Sequence, residues 1–186
     1  MGMPMPKNAK KVFQGELFSV WQWEQEMYDG SFATFERIQR ADYAYAVGVL
    51  DDERLLLVKD EQPDRDWVIT PAGGKVDEGE TPPQAAEREF EEETGYKAGS
   101  LKEWFSYRPN TKLDMEIHAY VARDLELTGQ TALEPGERIE LTPYTFDEFL
   151  QLGENPRLRD WMLKIVMLQA QLHEEKKEEL KKIFYE

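Results

Sequence analysis

Residues 74–96 read GKVDEGETPPQAAEREFEEETGY, a glycine-containing segment followed by a run dominated by glutamate. Thr81 is a residue type that caps helices, and Pro82 is tolerated in a first helical turn. Gly95 is a natural C-terminal cap because glycine adopts the left-handed backbone without strain. The segment therefore predicts a helix over residues 81–95.

The predicted helix gathers acidic side chains on one face. Glu89, Glu92 and Glu93 stand three and four positions apart, so they share a face, and like charges at that spacing repel. Arg88 lies four residues before Glu92 and can pair with it. A solvated acidic helix is one interpretation of this pattern. The other is a cation site beside a glycine-rich loop over residues 72–79, because carboxylate oxygens suit Mg²⁺ or Mn²⁺ rather than zinc.

The spacing of this segment resembles the Nudix box, G-x5-E-x7-R-E-U-x-E-E-x-G-U, in which U is an apolar residue. Its specified positions are filled, in order, by Gly74, Glu80, Arg88, Glu89, Phe90, Glu92, Glu93, Gly95 and Tyr96. Fixed residues at fixed gaps make this a specific signal. The resemblance implies an α+β Nudix fold, in which a mixed β-sheet is sandwiched between helices.

The resemblance also implies a role for each polar residue of the box. The implied metal ligands are Glu89, Glu92, Glu93 and a backbone carbonyl of Gly73 or Ala72. Glu92 is either a further ligand or an orienting group. Arg88 orients the carboxylates through charge-assisted hydrogen bonds, and Glu80 steadies the loop and Arg88.

A late acidic loop, residues 124–137, is implied to complete the site. Relatives use a glutamate of this loop as a metal ligand, and Glu137 matches it best. Glu134 and Glu140 are the alternatives, and the general base is open among the three. A plain solvated turn explains Glu134 and Glu140 equally well, since exposed acids are common.

Residues 1–40 predict an antiparallel β unit at the start of the chain. Residues 12–28 are rich in aromatic and apolar side chains, Asp29-Gly30 is a strong hairpin signal, and residues 32–38 resume the strand pattern. The Nudix relatives often exchange this unit between subunits. The resemblance therefore implies a homodimer, in which the unit serves dimerisation.

Residues 41–186 are predicted to form the Nudix domain proper. Strands are expected over residues 43–50, 55–59, 67–70, 101–107, 115–121 and 139–144. A short helix should open at Thr145 and close at Gly153. A long C-terminal helix is expected from Pro156 onward, with its tail EEKKEELKK as a solvated, charge-paired end.

The surroundings of the box resemble the ADP-ribose pyrophosphatases and nucleoside-diphosphate-sugar hydrolases. In such an enzyme the nucleobase needs a flat apolar partner, and the candidates are Trp21, Trp23 and Tyr28, although core packing is as good an explanation for each. The relatives' Gln-Tyr-Arg segment is replaced here by Asp60-Glu61-Gln62-Pro63. The arginine that grips the diphosphate is therefore one of four: Arg37, Arg40, Arg65 and Arg108.

Composition excludes several classes of function. The net charge of -15 disfavours a nucleic-acid-binding surface. No signal peptide and no apolar run long enough for a bilayer is seen, and the lack of cysteine fits a reducing cytoplasm. We therefore expect a cytoplasmic enzyme without membrane or nucleic-acid partners.

The expected reaction is Mg²⁺-dependent hydrolysis of the diphosphate of a nucleoside-diphosphate sugar, such as ADP-ribose or GDP-mannose, with Mn²⁺ as a substitute metal. The products are a nucleoside monophosphate and a sugar phosphate. One alternative is another Nudix pyrophosphohydrolase, acting on dinucleoside polyphosphates or NADH. Another is a Nudix domain that binds nucleotide sugars without cleaving them.

Overall fold

The computed structural model describes residues 4–186, so the first three residues of the predicted unit 1–40 lie outside the described residues. The strands are β1 (Lys10–Gln14), β2 (Ser19–Glu26), β3 (Phe32–Gln39), β4 (Tyr43–Val49), β5 (Leu55–Gln62), β6 (Arg65–Thr70), β7 (Ala72–Lys75), β8 (Tyr96–Tyr107), β9 (Leu113–Asp114), β10 (Ile117–Leu127) and β11 (Arg138–Tyr144). The helices are α1 (Pro82–Thr94), α2 (Phe146–Gln151), α3 (Trp161–Leu172) and α4 (Glu174–Tyr185), with a 3₁₀ turn at Leu152–Glu154.

The strands form two sheets. The N-terminal sheet has the order β1-β2-β3-β9, and its hairpin turns at Asp29-Gly30, as the sequence predicts. The larger sheet has the order β11-β5-β4-β10-β8, with β6 paired to β5 and β7 paired to β4. Because β10 runs parallel to β4 while the other pairs in this sheet are antiparallel, the sheet is mixed.

Helices cover both faces of the larger sheet because its central strand is apolar on both sides. Tyr45 and Val47 of β4 belong to the core cluster that includes α3 and α4, whereas Ala44 and Ala46 pack against α1 through Phe90. The small alanine side chains allow α1 to approach the sheet closely. The α+β fold with a mixed sheet between helices is therefore confirmed.

The predicted limits of α1 are confirmed. Thr81 takes an extended conformation before the helix, and its backbone N–H donates to the Gln84 side chain over 2.9 Å. Gly95 ends the helix in the left-handed region with φ of 71°, where its N–H donates to the Glu91 carbonyl over 2.8 Å.

The glycine-rich loop predicted over residues 72–79 is wrong in its first half. Ala72–Lys75 is strand β7, whose backbone pairs with β4. Gly73 lies so close to β4 that an added Cβ would come within 2.4 Å of the Ala44 carbonyl oxygen. Glycine serves here for close approach of two backbones rather than for a turn.

The single long C-terminal helix is also wrong. The chain breaks at His173, which has an extended conformation and separates α3 from α4. The tail is not only solvated, since Leu180 and Phe184 of α4 are buried in the core. The acidic loop is shorter than predicted because β10 continues to Leu127.

Two further observations concern the ends of the predicted units. Strand β9, from residues 113–114, joins the N-terminal sheet by pairing with β3, so that sheet draws on chain beyond residue 40. The boundary between the units stays a prediction. No helix within residues 4–186 is long and apolar enough to cross a membrane.

Candidate active site

The acidic face of α1 lies against strand β7. Gly73 donates its backbone N–H to the Glu93 carboxylate over 3.1 Å. A Cβ added at Gly74 would come within 2.2 Å of Oε1 of Glu89. A larger residue at position 74 would therefore displace the Glu89 carboxylate from its present place beside β7.

Arg88 holds together the acids around it. It donates to both oxygens of Glu80, over 3.0 and 2.9 Å, and to Glu89 over 2.7 Å. A longer bond of 3.1 Å reaches Glu92, and another of 3.2 Å reaches the Lys75 carbonyl. The hydrogen bonds from Arg88 lower the pKa of Glu80, so this carboxylate is ionised and Arg88 is fixed in direction.

Burial dominates the electrostatics of Glu93. It raises the pKa of Glu93 to about 9, and the charges of Glu89, Glu137 and Asp60 act in the same direction against the Gly73 N–H. Burial also raises the pKa of Glu89, although Arg88 opposes this. The two carboxylates are thus short of positive charge, which a bound cation would supply.

Tyr43 closes the site from the sheet. Its hydroxyl donates a short hydrogen bond to the Gly73 carbonyl, one of the two carbonyls predicted to bind metal. Burial raises the pKa of Tyr43, so the group stays a neutral donor. This contact fixes the direction of the Gly73 carbonyl, while the N–H of the same residue, in the preceding peptide group, donates to Glu93.

The donor set fits a hard divalent cation, because it consists of carboxylate and carbonyl oxygens. Within residues 4–186 no three acidic or histidine side chains stand close enough together to hold an ion as they are arranged. Arg88 donates to Glu89 and Glu92, and Gly73 donates to Glu93, and each of these hydrogen bonds uses one oxygen of its carboxylate. The second oxygen of each carboxylate can therefore bind a cation while the hydrogen bond is kept.

The loop of residues 128–137 docks on the C-terminal end of α1. Ala132 donates its N–H to the Glu92 carbonyl over 3.0 Å, and Thr128 donates to the Gly95 carbonyl over 2.9 Å. The charge of Glu137 raises the pKa of both Glu89 and Glu93, so Glu137 faces the box. Of the three candidates in this region, Glu137 is the one whose charge acts on these two carboxylates.

The other two candidates of this region lie elsewhere. Glu134 shares a turn with Glu137, whose carboxylate accepts the Glu134 N–H over 3.0 Å. Glu140 forms a 2.9 Å ion pair with Lys59 and is mostly exposed. Its neighbour Ile139 packs on the α1 side of the sheet, so strand alternation directs Glu140 to the opposite side.

Comparison with known proteins identifies the family. The sequence model of the NUDIX domain matches residues 40–166, which is more than half of the chain. The chain belongs to the NUDIX family. The resemblance predicted from the box is thereby confirmed, and the chain is a Nudix hydrolase.

Similar proteins extend this assignment over nearly the whole chain. A protein named ADP-ribose pyrophosphatase from Bacillus subtilis (strain 168) is 26% identical over 168 residues, covering 89% of this chain and 91% of its own. A methanol dehydrogenase activator from Bacillus methanolicus is also 26% identical, over 169 residues with the same coverage. A crystal structure of an ADP compounds hydrolase has the same fold, with a TM-score of 0.74, 22% identity and coverage of 89% and 91%.

The aromatic residues predicted to bind the base all lie in the N-terminal sheet of the Nudix chain. Trp23 is buried, packs on Phe35 with ring centroids 6.1 Å apart, and has Arg37 over its ring at 5.6 Å. Trp21 is half-buried and donates to the Gln39 side chain over 2.9 Å. Tyr28 is fully exposed at the hairpin turn. Trp23 is thus a core residue of its sheet, whereas Trp21 keeps part of its ring accessible.

The four candidate arginines lie in three places. Arg37 and Arg108 line one cleft of about 800 Å³, where Arg108 is paired with Asp114 over 2.8 Å. Arg40 lines a smaller pocket of about 210 Å³ together with Tyr43. Arg65 forms an ion pair with Asp60, and the charge of Asp60 acts on Glu93.

Sequence reasoning missed two residues of this site, Tyr43 and Asp60. Tyr43 was read only as the start of a buried strand, and its contact with Gly73 depends on the pairing of β4 with β7, which was not predicted. Asp60 carried a usable signal. It follows Leu56 and Val58 at the two-residue period of a strand, and both of those residues face α1.

Proposed function

We propose that this Nudix hydrolase cleaves the diphosphate of nucleoside-diphosphate sugars in a Mg²⁺-dependent reaction, with ADP-ribose as the first substrate to test. The observation that carries the proposal is the burial of Glu89 and Glu93 against Gly73 and Gly74 with too little positive charge around them. The Bacillus subtilis relative named ADP-ribose pyrophosphatase supports the substrate class.

Metal binding and the orientation of the ligands are assigned to different residues. Glu89 and Glu93 would hold Mg²⁺ (or Mn²⁺), with Glu92, Glu137 and the Gly73 carbonyl as further donors. Bound metal of this kind neutralises a diphosphate and lowers the pKa of an attacking water. Arg88 orients the carboxylates. Glu80 accepts hydrogen bonds from Arg88 and, over 3.1 Å, from the Asp77 N–H.

Proton transfer and substrate contacts complete the proposal. Glu137 would accept the proton of the attacking water, since its charge already acts on the two buried glutamates. Arg65 would contact the diphosphate, and Trp21 would stack on the base. The products would be a nucleoside monophosphate and a sugar phosphate.

The test is a hydrolysis panel with ADP-ribose, GDP-mannose, UDP-glucose, ADP-glucose, NADH and diadenosine polyphosphates, each with Mg²⁺ and with EDTA. We expect Mg²⁺-dependent release of nucleoside monophosphate from one of the nucleotide sugars. Faster hydrolysis of NADH or of a diadenosine polyphosphate would contradict the substrate class. Binding of a nucleotide sugar without any turnover would contradict the enzymatic proposal.

We further propose that the enzyme is a homodimer formed through the N-terminal sheet. Large apolar side chains are exposed on and beside this sheet, namely Val12, Phe13, Leu17, Phe18, Phe32 and Ile38. Exposed apolar surface of this kind is typical of subunit interfaces. Light scattering of the wild type and of Phe13→Asp tests the proposal: a monomeric wild type would contradict it. For the location we propose the cytoplasm, on the support of the sequence's lack of cysteine.

A further inference from the structure

Asp60 is a buried acid on the side of the sheet that faces α1. It follows Leu56 and Val58 in β5 at alternate positions, and these two residues pack with Phe90 of α1. Its pairing partner in strand β11 is Ile139, which belongs to the same apolar cluster. Alternation along the strand therefore directs the Asp60 carboxylate to the face of the sheet on which α1 lies.

Only half of the Asp60 carboxylate is engaged. The residue is 6% exposed, and its Oδ2 accepts a short hydrogen bond from Nη2 of Arg65. Its Oδ1 is buried and has no hydrogen-bond partner among residues 4–186. A buried polar atom without a partner costs free energy, so such an atom calls for a ligand or another explanation.

The geometry of the ion pair does not explain the idle oxygen. A guanidinium group can grip both oxygens of a carboxylate with two parallel N–H groups. Arg65 instead sends Nη1 to the backbone carbonyl of Asp60, over 3.3 Å, and only Nη2 to the carboxylate. If the pair had only a structural role, rotation of the Arg65 guanidinium would add a second charged hydrogen bond, to Oδ1. The observed arrangement leaves Oδ1 available.

The surroundings of Oδ1 are those of the metal-ligand candidates. The negative charge of Asp60 acts on Glu93, which accepts the Gly73 N–H, and on Tyr43, which donates to the Gly73 carbonyl. Asp60 therefore reaches the candidate site from the sheet, opposite to the glutamates that reach it from α1. An octahedral cation takes ligands from several directions, so a carboxylate that approaches from the sheet can bind the same ion as the carboxylates of α1.

We propose that Asp60 is a further ligand of the divalent-metal centre, binding through Oδ1 while Arg65 holds Oδ2. The inference rests on the proposed metal-dependent function of the same site. Arg65 has in this arrangement a second role, because it orients a metal ligand as well as lying beside the diphosphate.

Metal binding without substrate tests this directly. The probe is Mn²⁺ alone, titrated into the full chain and followed by electron paramagnetic resonance of the free ion. Asp60→Asn keeps the shape of the side chain and removes its charge, so we expect its Mn²⁺ dissociation constant to rise about 10- to 100-fold. The matched control is Glu140→Gln in the neighbouring strand, whose carboxylate pairs with Lys59, and it should leave the constant unchanged.

The outcomes separate this inference from the proposed function. Equal Mn²⁺ affinity in wild type and Asp60→Asn would overturn the role of Asp60 alone, whereas a wild type that binds no Mn²⁺ would overturn both. Should Asp60→Asn fail to fold, crystals of the wild type soaked in Mn²⁺ decide the question. An anomalous peak about 2 Å from Oδ1 is expected for a direct ligand, and a peak held by the α1 glutamates without Asp60 would overturn the inference.

Discussion

Two helices of this protein are rich in glutamate, and they deal with the charge in opposite ways. Helix α1 has five glutamates and one basic residue, Arg88, and it buries Glu93 against strand β7. Helix α4 has four glutamates and four lysines, which form exposed pairs such as Lys181 with Glu178 over 2.7 Å.

The difference shows that glutamate content alone does not indicate a metal site. In α4, Glu178 pairs with Lys181 and Glu179 with Lys176, so these charges are compensated on the same helix and remain in water. In α1, Arg88 pairs with Glu89 and Glu92, whereas Glu93 is buried against Gly73 beside further negative charges, and a bound cation would compensate it. The feature that distinguishes α1 from α4 is buried glutamate side chains beside glycine residues.

The largest effect is expected for turnover. Glu93→Gln removes a proposed metal ligand from α1 and should lower kcat for the best nucleotide sugar at least about 100-fold. Glu178→Gln in α4 is the matched control and should leave kcat unchanged, because Glu178 is half-exposed and pairs with Lys181 on a helix that carries none of the proposed ligands. Equal turnover of the two variants would remove α1 from the chemistry.

The next effect concerns the stability of α4. Phe184 is fully buried among Trp104, Phe149 and other core side chains. Phe184→Ala should therefore lower the free energy of unfolding by about 3–5 kcal/mol, which urea denaturation can measure. Leu172→Ala, at a residue that is 77% exposed, should change it by no more than about 0.5 kcal/mol. A small loss in Phe184→Ala would mean that the tail is solvated after all.

A third test uses pH on the protein kept free of metal by EDTA. The folded protein raises the pKa of Glu93 from 4.5 to about 9. Between these values the folded state keeps a proton on Glu93 that the unfolded state has lost. The contribution of this proton to the free energy of unfolding is fully present below pH 4.5 and is lost as pH rises toward 9. Glu93→Gln removes this dependence.

We therefore expect Glu93→Gln to melt at a higher temperature than the wild type at pH 8, with the difference shrinking as pH falls to 5. The reverse order at pH 8 would show that Glu93 is ionised without cost, and the contrast between α1 and α4 would lose its physical basis. Glu92→Gln is the internal control, since Glu92 is the more exposed acid of the same helix.

The smallest effect is expected at the exposed pairs of α4. Glu178→Ala breaks the pair with Lys181, yet both side chains are accessible to solvent, 52% and 41% exposed, and such a pair contributes little. The melting temperature at moderate salt should be the same as that of the wild type within the error of calorimetry. A clear decrease would mean that charge pairing in α4 contributes to the fold.

The sequence was sufficient for features that depend on local chemistry. The caps at Thr81 and Gly95 delimit α1 because capping involves only neighbouring residues. The spacing of the box placed Arg88 among the acids, where the structure has it. The apolar runs of β4 and β5 were recognisable because both faces of these strands are buried.

Features that depend on distant parts of the chain were not predictable in the same way. The break at His173 lies inside a continuous helical pattern, and it allows α4 to turn back so that Phe184 reaches Phe149. Strand β7 exists because β4 lies beside it, and its glycines alone suggest a loop. The pairing of Asp60 with Arg65 depends on the β5–β6 hairpin, which brings the two residues together.

The carbonyl of Gly95 accepts three hydrogen bonds, two from the backbone and one from the hydroxyl of Thr128. The segment that follows is thus tied to the end of α1, and it is tied again at Arg138, where β11 begins to pair with β5. Because both ends of this segment are held in place, the number of residues between them determines how far it can extend. Lengthening or shortening it by one residue would displace Glu137, whereas exchanging side chains along it, except at Gly129 and Gly136 with their left-handed backbone, would leave that carboxylate where it is.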